Sequence, residues 1–289
     1  MGKLCFVSDE TKCKHCFTNT CIAQALKHIK ILNTIGEGVQ GIVLNALWKN
    51  KPVAIKIEIL NVYPITMTNR SNYQCNKIWS KFLVDLYIEE SKHNVPKHAW
   101  VRTTKSFEQE AKKSMKLGDA NIGPKVYYFK ICKNGLITPN GVCDTGILIM
   151  EKFDMTLREF IDFIIDNDKF RMMRIQEFIH ILHDLETLGK RASSVIPFHG
   201  DLHNENIVLK FSSKGSVSKV NKIKVRLIDF GLDYNPKRKK YIQDEIKEEI
   251  FDSCNYLKKQ LYKSGKLTSK INEVLNKEMY TEVKLNYKN

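Results

Sequence analysis

No stretch of about 18 apolar residues free of charge occurs in the sequence, which excludes an apolar helix long enough to span a bilayer. The opening residues, Met1-Gly2-Lys3-Leu4-Cys5-Phe6, lack the apolar run of a secretory signal. Phe6 stands where an N-myristoylation signal wants Ser or Thr. These absences predict a soluble, intracellular, cytoplasmic protein with no membrane partner. Acidic residues are in deficit, 32 Asp and Glu against 47 Lys and Arg, which gives a net charge of +15. A field of that sign favours anionic partners: nucleotides, acidic peptides, nucleic acid. Arginine is scarce, 8 residues against 39 Lys, so the charge suits general attraction better than reading of bases. A solvated Lys-rich surface is the simpler reading of the same numbers.

Hydrophobic residues make up 43% and charged residues 27%, which excludes collagen-like, low-complexity and wholly disordered classes. At 289 residues the chain forms one large domain or two lobes and needs no disulfide staple to complete a core. Four of its eight cysteines, Cys5, Cys13, Cys16 and Cys21, fall in the first 21 residues. Cys13 and Cys16 form one C-x2-C pair, whose short loop suits tetrahedral ligation of zinc. A second such pair is lacking, so Cys5 and Cys21 would have to complete the set. Zinc ligation and a reduced, metal-free cluster both remain open. Disulfides are not expected in a reducing compartment, and Cys75, Cys132, Cys143 and Cys254 read as small core or surface residues.

Apolar spacing predicts a short helix over 22–30 and strands over 31–35, 42–47 and 52–57, joined by turns as an antiparallel meander. Helices are expected over 76–90 and 107–117, with Gly118 able to end the second. Residues 126–131 and 145–150 read as strands. From Glu151 the chain turns mainly helical, over 155–167, 171–191 and 241–262, with short apolar runs at 207–211 and 225–228. Trp79 and Trp100 suggest a small satellite core in the less patterned stretch 58–106. No internal repeat appears. A β-rich first half and an α-rich second half place a boundary near 150–153.

Between the first two strands lies Gly36-Glu37-Gly38-Val39-Gln40-Gly41. In a hairpin, rather than at a helix start, glycines let backbone N–H groups lie over phosphates without side-chain obstruction. Val53-Ala54-Ile55-Lys56 then puts one Lys in an apolar strand, costly to bury without an anionic partner. Residues 199–206 read His-Gly-Asp-Leu-His-Asn-Glu-Asn, and 227–231 read Leu-Ile-Asp-Phe-Gly. Oxygen donors of the kind offered by Asp201, Asn206 and Asp229 suit Mg²⁺, which keeps waters and phosphates as its other ligands. Each piece alone is weak, but all four in this order are specific.

Together they resemble the signature set of the protein-kinase-like superfamily, over roughly residues 31–232. The resemblance implies an α+β bilobal fold, with an antiparallel-sheet N-lobe over 30–150 (insert at about 58–106). It implies a reduced, mainly helical C-lobe over 151–289, with 1–29 as a Cys-rich segment. It implies ATP and Mg²⁺ as cofactors, with Lys56 pairing both the phosphates and a helix glutamate. Glu110 is the choice for that glutamate, with Glu108 as alternate, since only one can face Lys56. Asp201 would be the catalytic base, and Asn206 and Asp229 would hold Mg²⁺. Gly36, Glu37, Gly38 and Gly41 would cover the phosphates. Val43 and Ala54 would pack on adenine, and Met150, Glu151 and Phe153 would form the hinge strand beside it. The function implied is a serine/threonine protein kinase with a protein substrate, an acidic one by charge. Nucleic acid is compatible with the charge but not required.

The pattern also departs from the family. Gly200 stands where regulated protein kinases carry Arg, which argues against control by activation-loop phosphorylation. His203 stands where they carry a Lys near the γ-phosphate. His-Gly-Asp-Leu-His is similar to small-molecule kinases of the aminoglycoside and choline type, the main alternative. Only 58 residues follow Gly231, and no Ala-Pro-Glu signature appears. That trimmed form resembles RIO-type kinases, the kinase of the tRNA threonylcarbamoylation complex, and compact kinases of large DNA viruses. A viral origin would place the protein in host cytoplasm or virion. The run Lys237-Arg238-Lys239-Lys240 could attract an acidic substrate or nucleic acid, or be a solvated loop. Helix residues Asp244 and Glu245 could brace the catalytic loop. A non-catalytic basic binding module is the third reading, and it predicts loss of Lys56, Asp201 or Asp229, none of which is lost.

Overall fold

The computed structural model describes residues 20–38, 41–63, 103–138, 141–169, 171–213, 220–230 and 241–286. The expected helix over 76–90, Trp79, Trp100, Cys5, Cys13, Cys16, Gly231 and the basic run 237–240 lie outside them. The chain divides into two compact units, Met1–Met115 with Lys125–Lys152, and Lys116–Pro124 with Phe153–Asn289. The fold is α+β. Among the described residues no helix is long and apolar enough to cross a membrane.

The first unit holds a five-stranded antiparallel sheet in the order β1-β2-β3-β5-β4. Its strands are β1 (Ile29–Gly38), β2 (Gly41–Trp48), β3 (Lys51–Tyr63), β4 (Val126–Thr138) and β5 (Gly141–Glu151). β3 is central, with both edges paired, and its residues enter a buried cluster on each face, so its sequence reads as a nearly continuous apolar run. Val53, Ile55, Ile57 and Ile59 point to one face and join Ile42, Leu44, Ile147 and Ile149 in a buried cluster. The other face carries Ala54, Lys56, Glu58 and Leu60, because side chains two apart on a strand share a face.

Two helices belong to this sheet. α1 (Thr20–Ala25) is shorter than the spacing predicts, and it buries Ile22 and, just beyond its end, Leu26 in the first cluster. α2 (Thr104–Asp119) packs Phe107 and Ala111 against Leu60 and Leu148 on the second face. It starts three residues earlier than its apolar pattern shows, because the Thr103 hydroxyl accepts the Ser106 N–H at 3.1 Å. Gly118 does not end it. Asn121 takes the left-handed conformation (φ 56°), while the Ile122 and Gly123 N–H groups close on the Leu117 carbonyl.

The second unit contains β6 (Met155–Thr156), β7 (Ile207–Ser213) and β8 (Val220–Leu227) as a three-stranded antiparallel sheet. Four helices join it: α3 (Leu157–Asp166), α4 (Arg171–Ala192), α5 (Ile242–Lys263) and α6 (Ser269–Asn286). The helix expected from 155 begins only at Leu157. Met155 and Thr156 pair with Leu209 and Val208, and Thr156 caps α3. The Thr156 hydroxyl accepts from the Glu159 N–H at 3.1 Å, and the Glu159 carboxylate accepts from the Thr156 N–H at 2.6 Å. α4 turns Ile175, Phe178, Ile181, Leu182 and Leu185 into a core shared with Ile246, Ile250, Leu257 and Leu261 of α5 and Ile271 and Leu275 of α6.

One cysteine assignment changes. Cys21 is bonded to Cys132, against the expectation of reduced thiols. Packing of α1 near β4 brings their Cα atoms to 5.7 Å, inside the range a disulfide spans. A partner 111 residues away leaves no spacing signal in the sequence. Cys21 is therefore not an available thiolate for a zinc set with Cys5, Cys13 and Cys16.

Candidate functional site

In the first unit the sheet register decides which candidate residues share a face. Gly36 pairs with Val43, Val43 with Lys56, and Lys56 with Leu148. Asn45 pairs with Ala54, and Ala54 with Met150. Cross-strand partners point the same way, so Val43, Ala54, Lys56 and Met150 line one face and Gly36 lies at its edge. Glu37 and Gly38 continue β1 opposite Ile42 and Gly41.

The glycines of this hairpin have different grounds. A side chain at Gly41 would collide with the Ile57 carbonyl of β3, so Gly41 is fixed by packing of the sheet. One at Gly36 would meet only Val43, at 3.6 Å, an ordinary contact. Packing therefore explains the third glycine of the motif and not the first.

Lys56 stands in the middle of this face. Its Nζ lies 3.1 Å from Glu110 Oε1 on α2 and 2.7 Å from Glu58 Oε1 on its own strand. Glu108 instead pairs with Lys112 one turn along, at 2.6 Å, on the exposed side of the helix. The two glutamates of Phe107-Glu108-Gln109-Glu110 thus take opposite sides, as helical geometry requires. Glu58 was not singled out from the sequence. Its signal was a second charge at i+2 from Lys56 in an apolar strand. At the end of β5, the strand expected to form a hinge, the Glu151 N–H donates to the Lys125 carbonyl at 2.8 Å, so a backbone contact from Glu151 to a base would have to use its carbonyl.

In the second unit, residues 199–206 form a loop fastened mainly by backbone. The His199 and Gly200 N–H groups donate to the two oxygens of Glu245, at 2.7 and 2.9 Å. The His199 ring is buried, donates from Nε2 to the Ile228 carbonyl at 2.8 Å, and lies 5.0 Å from the Phe230 ring. Gly200 has φ of 93°, which an L side chain rarely adopts, so this position is set by backbone shape. At the loop's end, Asn206 Nδ2 donates to the Asp201 carbonyl at 2.9 Å and to His203 Nε2 at 3.0 Å. That His203 nitrogen accepts, and it lies 3.8 Å from Asp201 Oδ2, beyond hydrogen-bonding distance.

Asn206 and Asp229 are brought together by the ladder of β7 and β8. Ile207 pairs with Leu227, and the Ile228 N–H donates to the Asn206 carbonyl at 2.9 Å. Asp229 follows directly, exposed, with φ of 60°, a left-handed conformation that Asp tolerates better than most residues and that clusters at functional sites. Because the Asn206 nitrogen is spent on protein acceptors, its Oδ1 is the atom suited to a cation. Asn206 Oδ1 and the Asp229 carboxylate are hard oxygen donors, and they fit Mg²⁺ in kind. Among the described residues no group of three or more His, Cys, Asp and Glu forms a cage, so phosphates and water would supply the other ligands.

Below this loop lies a buried acid that sequence reasoning did not name. Glu249, one turn after Glu245 on α5, accepts from the Ser253 hydroxyl at 2.9 Å. Burial pushes its carboxyl up to about 7 from 4.5, against the lowering effect of Ser253 and of the Asn204 N–H, with Asp252 adding a smaller upward push. Since the folded pKa is raised, the folded chain holds this proton between pH 4.5 and 7 while the unfolded chain releases it. The stability involved is fully present below about pH 4.5 and is lost as pH rises through 7. It is on the order of 3 kcal/mol. Urea unfolding should show stability declining from pH 5 to pH 8, and Glu249→Gln should flatten that decline. An equal decline in the variant would refute the assignment.

No protein-family model matches the chain, and a search of curated proteins finds no match.

Proposed function

We propose that the protein is an ATP- and Mg²⁺-dependent phosphotransferase of the protein-kinase-like kind, acting on a serine or threonine hydroxyl of a protein. The observation that carries this reading is Lys56, a lysine in a central strand paired at 3.1 Å with Glu110 of a helix and flanked on its face by Val43, Ala54 and Met150. In this reading the face of Val43, Ala54 and Met150 takes adenine and the Lys56 ammonium takes the phosphates. The Asp201 carboxylate orients the acceptor hydroxyl and takes its proton, and Asn206 and Asp229 hold Mg²⁺. The metal supplies neutralisation of phosphate charge, so the protein's own task is positioning and electrostatics. Phe153, at the start of the second unit, is buried with Lys210 Nζ 5.8 Å from its ring centroid, and it would extend the hinge. His203, held by Asn206, would stand near the transferring phosphoryl group.

The +15 charge favours an acidic acceptor. A small-molecule acceptor is the second reading, favoured by the His-Gly-Asp-Leu-His sequence at 199–203. The test is transfer of labelled γ-phosphate with Mg²⁺ to casein, to a basic protein and to the enzyme itself. Label on protein Ser or Thr that disappears with Asp201→Ala supports the protein kinase. Nucleotide binding without protein label shifts the reading to a small-molecule acceptor. Failure to bind ATP sinks both.

A further inference from the structure

Lys56 faces two carboxylates, and they come from elements of different character. Glu110 is carried by α2, and its side chain is 5% exposed. Glu58 is carried by β3 itself, two residues from Lys56, and its side chain is fully buried (0%). The register sets Glu58 opposite Gly146, and the Phe107 ring lies where a side chain at 146 would be, within 2.6 Å of its Cβ position. Leu60, Leu148 and Ala111 complete these apolar surroundings. A carboxylate is expensive to keep there unless a cation stands against it. Lys56 does so at 2.7 Å, closer than it stands to Glu110 at 3.1 Å. Both carboxylates thereby direct the ammonium before any ligand arrives.

We propose that Glu58 is a positioning residue that anchors the Lys56 ammonium from the sheet side, so that its placement does not depend on Glu110 and α2 alone. A strand two residues long between partners is a rigid tether, whereas a helix-borne partner can shift with its helix. The two carboxylates then act as partly redundant holds. Removing either leaves Lys56 in place, and removing both releases it. The nucleotide half of this inference rests on the phosphotransfer reading, and the labelling half does not.

The experiment compares Glu58→Gln, Glu110→Gln, the double variant and Lys56→Met. Without nucleotide, the rate of reductive methylation of Lys56 is followed by mass spectrometry. Methylation needs an accessible amine, and each neighbouring carboxylate shields the ammonium by holding it. Each single variant should change the rate less than about threefold, and the double variant should raise it at least about tenfold. With Mg²⁺, each single variant should weaken ATP and ADP about threefold or less. The double variant should weaken them about 30-fold and approach Lys56→Met, with adenosine affinity unchanged throughout. If Glu58→Gln does not fold, Glu58→Met removes the charge without leaving a polar group unsatisfied. The inference is overturned if Glu110→Gln alone equals the double variant in labelling, or if Glu58→Gln weakens adenosine as much as ATP. Should the wild type bind no ATP, the phosphotransfer reading fails and the labelling rates still decide the anchor.

Discussion

On the proposed phosphotransfer reading, replacing Asp201 with alanine is expected to lower phosphoryl transfer by roughly 10²–10⁴-fold, the range that a positioned general base contributes. The loop should survive the change, because its fastenings do not pass through the Asp201 carboxylate. Glu245 holds the N–H groups of His199 and Gly200, and Asn206 holds the Asp201 carbonyl. The Asp201 side chain is 47% exposed, and His203 lies 3.8 Å away without a hydrogen bond. Stability should therefore stay within about 0.5 kcal/mol of wild type. Nucleotide affinity should change less than about threefold, since the proposed role of Asp201 is toward the acceptor hydroxyl and the groups proposed for adenine, phosphates and Mg²⁺ are left intact. Single-turnover transfer, thermal unfolding and nucleotide binding measured on one preparation separate these expectations. Transfer above about a tenth of the wild-type rate would remove Asp201 from the chemistry.

Much of the fold was legible because its signals are local. The β-type apolar runs at 42–47 and 52–57 become β2 and β3, and the apolar spacing of 171–191 and 241–262 becomes α4 and α5. Errors fell where a side chain or a distant partner overrides periodicity. Thr103 starts α2 early, and Thr156 starts α3 late because its backbone first pairs with β7. That second start was readable as Thr-x-x-Glu at 156–159, a capping box within the apolar pattern. α6 went unrecognised. Its apolar face, Ile271 and Leu275, is thin and set among lysines, and what fixes it is packing on α5 rather than propensity.

The site was legible in its order of motifs and hidden in its supports. Lys56 and Glu110 are separated by 54 positions, and nothing in spacing alone chooses Glu110 over Glu108. Burial chooses, since Glu108 is 46% exposed and Glu110 5%. The bond between Cys21 and Cys132 is invisible for the same reason of distance along the chain. Glu58 and Glu249 carried the one kind of signal that could have found them, an acidic residue at a position the apolar period assigns to the interior.

Glu245→Ala is expected to be the most destabilising change at the loop. Its carboxylate accepts two N–H groups, from His199 at 2.7 Å and Gly200 at 2.9 Å, and both bonds are charge-assisted. Loss of each would cost about 1.5–3 kcal/mol if the donor stayed dry. His199 is buried, so its N–H is left without that acceptor, whereas Gly200 is exposed and water can replace part of the loss. The sum is about 3 kcal/mol, enough to lower an unfolding midpoint markedly in a protein of ordinary stability. Glu245→Gln keeps one oxygen acceptor and should lose about half as much. On the proposed reading, phosphoryl transfer should fall with both variants even at temperatures where they remain folded. The His199 bond to the Ile228 carbonyl couples this support to the strand end that carries Asp229. A Glu245→Ala protein that matches the wild type in unfolding would show that the loop holds its shape without this carboxylate of α5.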